Sequence, residues 1–399
     1  MNKLSFHYHN MMPWPYLPDD YDEKYDSAWV TLPNSIYDPV KGHDVYNSYL
    51  REIERADQLG WDSVIVPEHH QNAAVTIPSP NIMAAILTQR VKRAKIGIIG
   101  NSLPLHADPL RVAEEIAMLD VISGGRIISG FVRAIGMEYF NYGVKPTLSR
   151  ELMNEAHDLI IQAWTRPGPF AFEGEHFNYR YVNIWPRPIQ QPHPPIWLPG
   201  SISLETIDTA AKYRYPYMTV FMTTEQRKMV YGLYRRLAEE KYGYEAPPEQ
   251  LAFCAPMFIG ETDEQAMKEA EQYVLWLFDK TFFKVRPQYV TPPGYFSEQS
   301  TLNMLKSGVA EQMMKKRSFK ELVDTGVVIV GSVDTVLEKL AYHCDELHAG
   351  MIVNVTRLGP MPDEVVFKQQ DLMAKYIMPH FREKAVLADP QPIEISSAR

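Results

Sequence analysis

The chain has 399 residues, 45% hydrophobic and 12% aromatic, with a formal net charge of −9. This composition builds a large core and excludes a disordered chain, and an acidic balance without a long Lys/Arg run excludes a nucleic-acid groove. Cys254 and Cys344 give neither a disulfide framework nor zinc spacing, no apolar run reaches the ~20 residues of a spanning helix, and "MNKLSFHYHN" lacks a signal core, so a cytoplasmic protein off the membrane is expected.

Taken in order, short β-like runs alternate with amphipathic helical stretches. "LSFHYH" reads as the first strand, and "VYNSYLREIERADQLG" as a helix with an apolar stripe and a terminating Gly60. "DSVIVP" is the second strand, followed by the helix "SPNIMAAILTQR", with Ser79 as N-cap and Pro80 at its first position. "KIGIIGNSLP" is the third strand, and the helix after it starts in the same way, at Asp108 and Pro109. "GRIISGFVR" is the fourth strand, followed by "SRELMNEAHDLIIQAW", a helix capped by Ser149. The alternating "FAFEGEHFNYRYV" reads as a hairpin excursion near 170–182. "PPIWLPG", "YPYMTVF", "LAFCAPMFIG" and "GMIVNVTRLG" are the remaining four strands, each with its helix.

Eight strands, each followed by a helix, predict an α/β fold: a (β/α)8 TIM barrel in one domain spanning 1–399. No G-x-G-x-x-G follows the first strand, which argues against a dinucleotide-binding sheet. Insertions are expected after strands one, four and seven: a lid-like loop over 10–42, rich in Pro, Trp and Tyr, the hairpin, and a segment over 281–330.

Barrel chemistry sits at the C-terminal ends of the strands. His7 and His9, two apart, point to the same side of the first strand. Such an H-x-H pair resembles metal-dependent amidohydrolases, but strands five and six offer no ligand. Strand eight has Asn354 where a carboxylate is wanted, so no metal is expected. "EHH", Glu68 to His70, ends strand two; consecutive residues diverge there, so one histidine faces the pocket, either for acid/base work or to orient a loop.

The stretches "GWDSVIVPEHH", "KIGIIGNSLPLHADPLRVAEEIAMLDVISGGRIISGFVRAIGMEYFNYG", "HPPIWLPGSISLET" and "VGSVDTVLEKL" together resemble the bacterial luciferase-like flavin monooxygenases, over roughly 40–260 and 330–380. The resemblance implies a barrel that uses reduced FMN, supplied by a separate NAD(P)H-dependent flavin reductase, together with O2. It also implies that a flavin hydroperoxide oxygenates a small, partly apolar organic substrate. His69 matches the family's active-site histidine, with Glu68 and His70 expected to hold it in place. Arg133 matches the arginine that grips the flavin phosphate, and Ser201 a phosphate-contacting serine. Ile99–Gly100 matches the place of a non-proline cis peptide beside the flavin ring. Three positions depart from the family: Val132 replaces a reactive cysteine, Leu204 a hydroxyl residue, and Gly200 an acidic one.

Arg133 offers a fixed cation, and Gly200–Ser201 before a helix offers free N–H groups, as a phosphate requires. Gly97 and Gly100 are expected to let a flat ring approach the backbone. His7, His9, Met12, Trp14 and Trp29 are expected to line the substrate pocket, with Met11 as further apolar cover. Two other functions fit the same barrel: a deazaflavin-dependent oxidoreductase and a non-catalytic flavin-binding subunit. Family habit implies a homo-oligomer, a dimer or dimer of dimers.

Overall fold

The computed structural model describes residues 4–282, 287–298, 301–302 and 316–382. Eleven strands occur among them: β1 Ser5–His9, β2 Ser63–Val66, β3 Lys95–Ser102, β4 Ile127–Val132, β5 Phe170–Glu173, β6 Asn178–Val182, β7 Ile196–Gly200, β8 Tyr217–Val220, β9 Leu251–Ile259, β10 Ile329–Gly331 and β11 Met351–Val355. Eight of them close a parallel barrel in the order β1-β2-β3-β4-β7-β8-β9-β11, with β11 pairing back onto β1. This is the (β/α)8 architecture expected from the alternation of strands and helices. Every barrel strand is buried over most of its length, as parallel strands covered by helices must be. Register aligns the rim: His9 lies beside Ile65 of β2 and Val355 of β11, and Gly200 of β7 beside Thr219 of β8.

The helix starts follow the capping chemistry in the sequence. Ser79 accepts from the Ile82 N–H ahead of Pro80, and Asp108 accepts from the Leu110 N–H ahead of Pro109. The same Asp–Pro signal begins the helix Pro39–Gln58, where Asp38 accepts from the Val40 and Lys41 amides. The loop expected over 10–42 therefore ends at residue 38. Ser149 is not a cap but the first residue of the helix Ser149–Thr165; its hydroxyl donates to the Pro146 carbonyl at 2.6 Å.

The hairpin is present as the antiparallel pair β5–β6. The segment over 281–330 carries a helix at Phe319–Asp324, and β10, which extends the sheet along the far half of β9. Its residues 283–286, 299–300 and 303–315 lie outside the described residues. The seven-residue helix Gly136–Tyr142, absent from the sequence reading, follows β4 and ends on Gly143 at φ +66°. No helix among the described residues is long and apolar enough to cross a membrane.

Candidate functional site

The C-terminal rim of the barrel encloses a cavity of about 360 Å3. Of the positions singled out from sequence, His9, Trp29, His69, Ile99, Gly100, Arg133, Gly200 and Ser201 line it. His7, Met12 and Trp14 do not. His7 shares its face with His9 but sits one layer deeper, where its ring bonds the hydroxyls of Ser63 at 2.7 Å and Ser5 at 2.9 Å. Burial, outweighing the Asp62 charge, holds it neutral with a pKa of about 4. Met12 is fully buried in the loop, and Trp14 packs between Tyr16 and Tyr37 away from the cavity. Met11 and Trp29 supply the apolar cover from this loop.

His69 enters at the end of β2 and is one-quarter exposed, at 26%. Its Nδ1 donates to Glu138 Oε1 at 3.0 Å, and Trp29 packs edge-on against its ring at 5.3 Å. Glu138 is fully buried and also accepts from the His70 N–H at 3.0 Å and the Ile135 N–H at 2.9 Å. The last bond is the reach-back of a helix-N3 glutamate to its N-cap amide, which turns the carboxylate toward His69. With Nδ1–H committed to a carboxylate, Nε2 is left as the basic atom of the ring. The partner that fixes His69 is therefore Glu138, not Glu68 or His70. His70 turns away, bonding Glu68 at 2.8 Å and the Tyr142 hydroxyl at 2.9 Å. Glu68 also lines the cavity; burial raises its carboxyl, but hydrogen bonds from His106 and His70 outweigh this and hold it at about 2.

At the other end of the cavity two guanidinium groups converge. Arg133, just past β4, donates to Ser149 Oγ at 3.3 Å and to the Tyr295 carbonyl, and lies 3.9 Å from the centroid of the Tyr295 ring. Arg150, in the first turn of the helix Ser149–Thr165, was not singled out from sequence. Its Nη2 is buried and makes no hydrogen bond among the described residues, although Glu205 Oε2 lies 3.4 Å away. Burial, followed by the charge of Arg133, lowers the pKa of Arg150. Burial also raises the Glu205 carboxyl, but its own backbone N–H, the Ser297 hydroxyl and Arg150 hold it at about 2. Two cations against one carboxylate leave net positive charge at this end, where Ser201, Ser203 and Thr206 add hydroxyls to the wall. A phosphate fits this donor set.

Between the two ends run β3 and β4. The Ile99–Gly100 peptide is cis and lines the cavity. A Cβ on Gly100 would come within 2.5 Å of the Gly130 backbone, and one on Gly97 within 2.8 Å of Ile65. The close approach these glycines permit is thus of strand to strand, and Gly97 does not reach the cavity. Val132 and Cys254 add to the wall, and burial pushes the Cys254 thiol up to about 12, so it stays protonated. His9 donates from Nδ1 to the Ile65 carbonyl at 3.3 Å, and burial holds it neutral at about 4.

Residues 27–348 match the family model of luciferase-like monooxygenases. The chain is 28% identical over 218 residues to an alkanal monooxygenase alpha chain of Photorhabdus luminescens, covering 54% of this chain and 58% of that one. It is 29% identical over 157 residues to the oxygenase component of a flavin-dependent trigonelline monooxygenase of Acinetobacter baylyi, covering 39% and 43%. The matches thus span about half the length of these two relatives. A 4-hydroxyprotoasukamycin monooxygenase of Streptomyces nodosus is 24% identical over 85% of this chain and 89% of that one. Among solved structures, the FMN-bound oxygenating constituent of 3,6-diketocamphane monooxygenase from Pseudomonas putida shares the fold with a TM-score of 0.72, at 18% identity over 95% of this chain and 99% of that one. An F420-dependent secondary alcohol dehydrogenase shares it with a TM-score of 0.67, at 16% identity over 94% and 98%. The chain belongs to the luciferase-like monooxygenase family.

Proposed function

We propose that this chain is the oxygenase component of a two-component flavin monooxygenase, taking reduced FMN from a separate NAD(P)H-dependent reductase and using O2 to oxygenate a small, partly apolar substrate. The observation that carries the reading is a single apolar cavity with a guanidinium pair at one end and a carboxylate-backed histidine at the other. Arg133 and Arg150 would hold the phosphate, with Ser201 and the amide at Gly200 beside them, and Ile99–Gly100 would flank the ring. Bound reduced FMN supplies the electrons that activate O2 for transfer.

The remaining work falls to the chain's own residues. His69 Nε2 holds or moves a proton at the reacting centre, and Glu138 stabilises the imidazolium that results. Met11, Trp29, Val75 and Phe221 exclude water, which protects a reactive oxygen donor from unproductive loss. A homodimer fits the surface. Ile82, Ile86, Met118, Val121 and Ile122 are exposed on the adjoining helices Pro80–Arg90 and Pro109–Ser123, with Ile82 67% exposed. Arg111 and Glu114, exposed on the same stripe, present opposite charges to a two-fold copy.

The likeness to F420-dependent enzymes favours a second reading on the same barrel, a deazaflavin-dependent oxidoreductase. Oxygen uptake with reduced FMN and with reduced deazaflavin, across small ketones, aldehydes, sulfonates and amines, separates the two. Substrate-stimulated uptake with FMN supports the oxygenase; substrate turnover with deazaflavin and no uptake sinks it. FMN binding with no stimulation by any substrate would point to a non-catalytic flavin-binding subunit.

A further inference from the structure

Behind the cavity wall lies a buried tyrosine whose phenol faces a proton acceptor. Tyr215 precedes β8 and His157 sits in the helix Ser149–Thr165; both are buried. The Tyr215 hydroxyl is 3.0 Å from His157 Nε2, and His157 Nδ1 is 3.2 Å from Asp158 Oδ1. A carboxylate accepts only, so Nδ1 carries the proton, Nε2 is the acceptor, and Tyr215 is the donor. The order phenol, imidazole, carboxylate gives the Tyr215 proton a base to move to and gives that base a stabilising anion.

The triad is also connected, inward and outward, through aromatic rings. Phe131 lines the cavity, and its ring centroid lies 6.1 Å from that of His157 and 6.2 Å from that of Trp164, the latter stacked at 23°. His193 bridges Trp164, at 6.0 Å, and Tyr215, at 6.5 Å. Outward, Tyr213 stacks on Tyr215 at 5.4 Å and 20°, and is 37% exposed. Trp164 donates its indole N–H to the Ala113 carbonyl, an acceptor that cannot keep a proton. An electron vacancy on Trp164 is therefore not trapped there and settles where the proton has a base, on Tyr215.

We propose that Tyr215, His157 and Asp158 form a redox-active triad that carries an oxidising equivalent from the cavity to the surface through Tyr213. The proposal rests on the flavin reading of the cavity. A one-electron oxidant in the cavity, such as a photoexcited oxidised flavin, gains one electron. Tyr215 loses that electron and its phenolic proton, leaving a neutral phenoxyl radical, and the proton binds His157 Nε2. A thiolate at Tyr213 returns the electron and becomes a thiyl radical, and protonated His157 returns its proton to the Tyr215 oxygen. The gain for an oxygenase is that stray oxidising equivalents leave the pocket without damaging Met11, Trp29 or His69.

The test is electron paramagnetic resonance on oxidised, FMN-loaded protein frozen under illumination, with FMN affinity measured in parallel. The expected result is a tyrosyl signal in the parent that is lost in Tyr215→Phe. It is also lost in His157→Gln, which keeps a hydrogen-bond acceptor but no proton acceptor, while FMN affinity stays parental. Tyr213→Phe should form the signal but slow its decay with added thiol. A parental signal surviving in both Tyr215→Phe and His157→Gln overturns the proposal. Absence of FMN binding in the parent would instead fail the flavin reading. In that case azide radicals generated by pulse radiolysis oxidise the flavin-free protein, and the same comparison of variants decides.

Discussion

Replacing Arg133 by alanine separates two jobs of one guanidinium. In the structure it stacks on Tyr295 and donates to the Tyr295 carbonyl and to Ser149, so its loss loosens the segment that covers this end of the cavity whichever ligand is bound. Its proposed second job, contact with a flavin phosphate, would be felt only by a ligand that carries one. A charge-assisted hydrogen bond contributes ~1.5–3 kcal/mol. Its loss should therefore raise the Kd for FMN roughly 10- to 150-fold. Riboflavin, which lacks the phosphate, measures the first job alone. Fluorescence titration of parent and Arg133→Ala with both ligands closes a double-mutant cycle. The parent should prefer FMN to riboflavin, and most of that preference should vanish in the variant. Equal losses for the two ligands would show that Arg133 only holds Tyr295, and would refute the phosphate assignment. Arg150→Ala should repeat the pattern, because its buried Nη2 finds no hydrogen-bond partner among the described residues.

Four further outcomes are expected. His69→Ala should lower coupled turnover by ~100- to 10,000-fold, with electrons diverted to hydrogen peroxide and FMN affinity unchanged. Glu138→Gln keeps an acceptor for His69 but removes the charge and sets an NH2 group against the Ile135 amide; a loss of about tenfold in kcat, with KM little moved, is expected. Product and peroxide quantified over time courses check both: parental coupling in His69→Ala, or a parental kcat in Glu138→Gln, removes that residue from the mechanism. Stability should fall with acid. His7 and His9 are held neutral at about 4, so between there and ~6.5 the unfolded chain binds more protons than the folded one, and each histidine costs up to about 1.4 kcal/mol per pH unit over that window. Glu68, held at about 2, adds a loss below ~4.5. Thermal midpoints rising from pH 4 to 6.5 and then levelling would agree; a flat profile would contradict the neutral, buried state of the two histidines. Finally, Ile82→Lys with Met118→Lys should convert a dimer to monomer in light scattering, and a dimer that persists moves the interface elsewhere.

The barrel was legible because its rules are local. Short apolar runs mark the strands, Asp–Pro or Ser–Pro starts and Gly stops mark several of the helices, and the unread start Asp38–Pro39 carries the same signal. Chain position made part of the site legible, because strand ends face the pocket, and the resemblance to luciferase-like monooxygenases then singled out His69 and Arg133 there. Depth was not legible: His7 and His9 share a face by periodicity, yet one barrel layer separates a core histidine from a lining one. Partners distant in sequence were also hidden. Glu138 reaches His69 across 69 positions from a short helix whose Gly143 stop was visible but unread. Arg150 reads as an exposed first-turn charge until Arg133 and Glu205 fold against it.

Under the proposed function, one atom of O2 is transferred to a substrate held between reduced FMN and His69. The most direct measurement is a single turnover with chemically reduced FMN under 18O2, with mass analysis of the product from any compound that stimulates oxygen uptake. The expected result is one 18O atom in the product and none when the label is in water. An oxidised product carrying no 18O from O2, or one formed without O2 while oxidised deazaflavin is reduced, would contradict it.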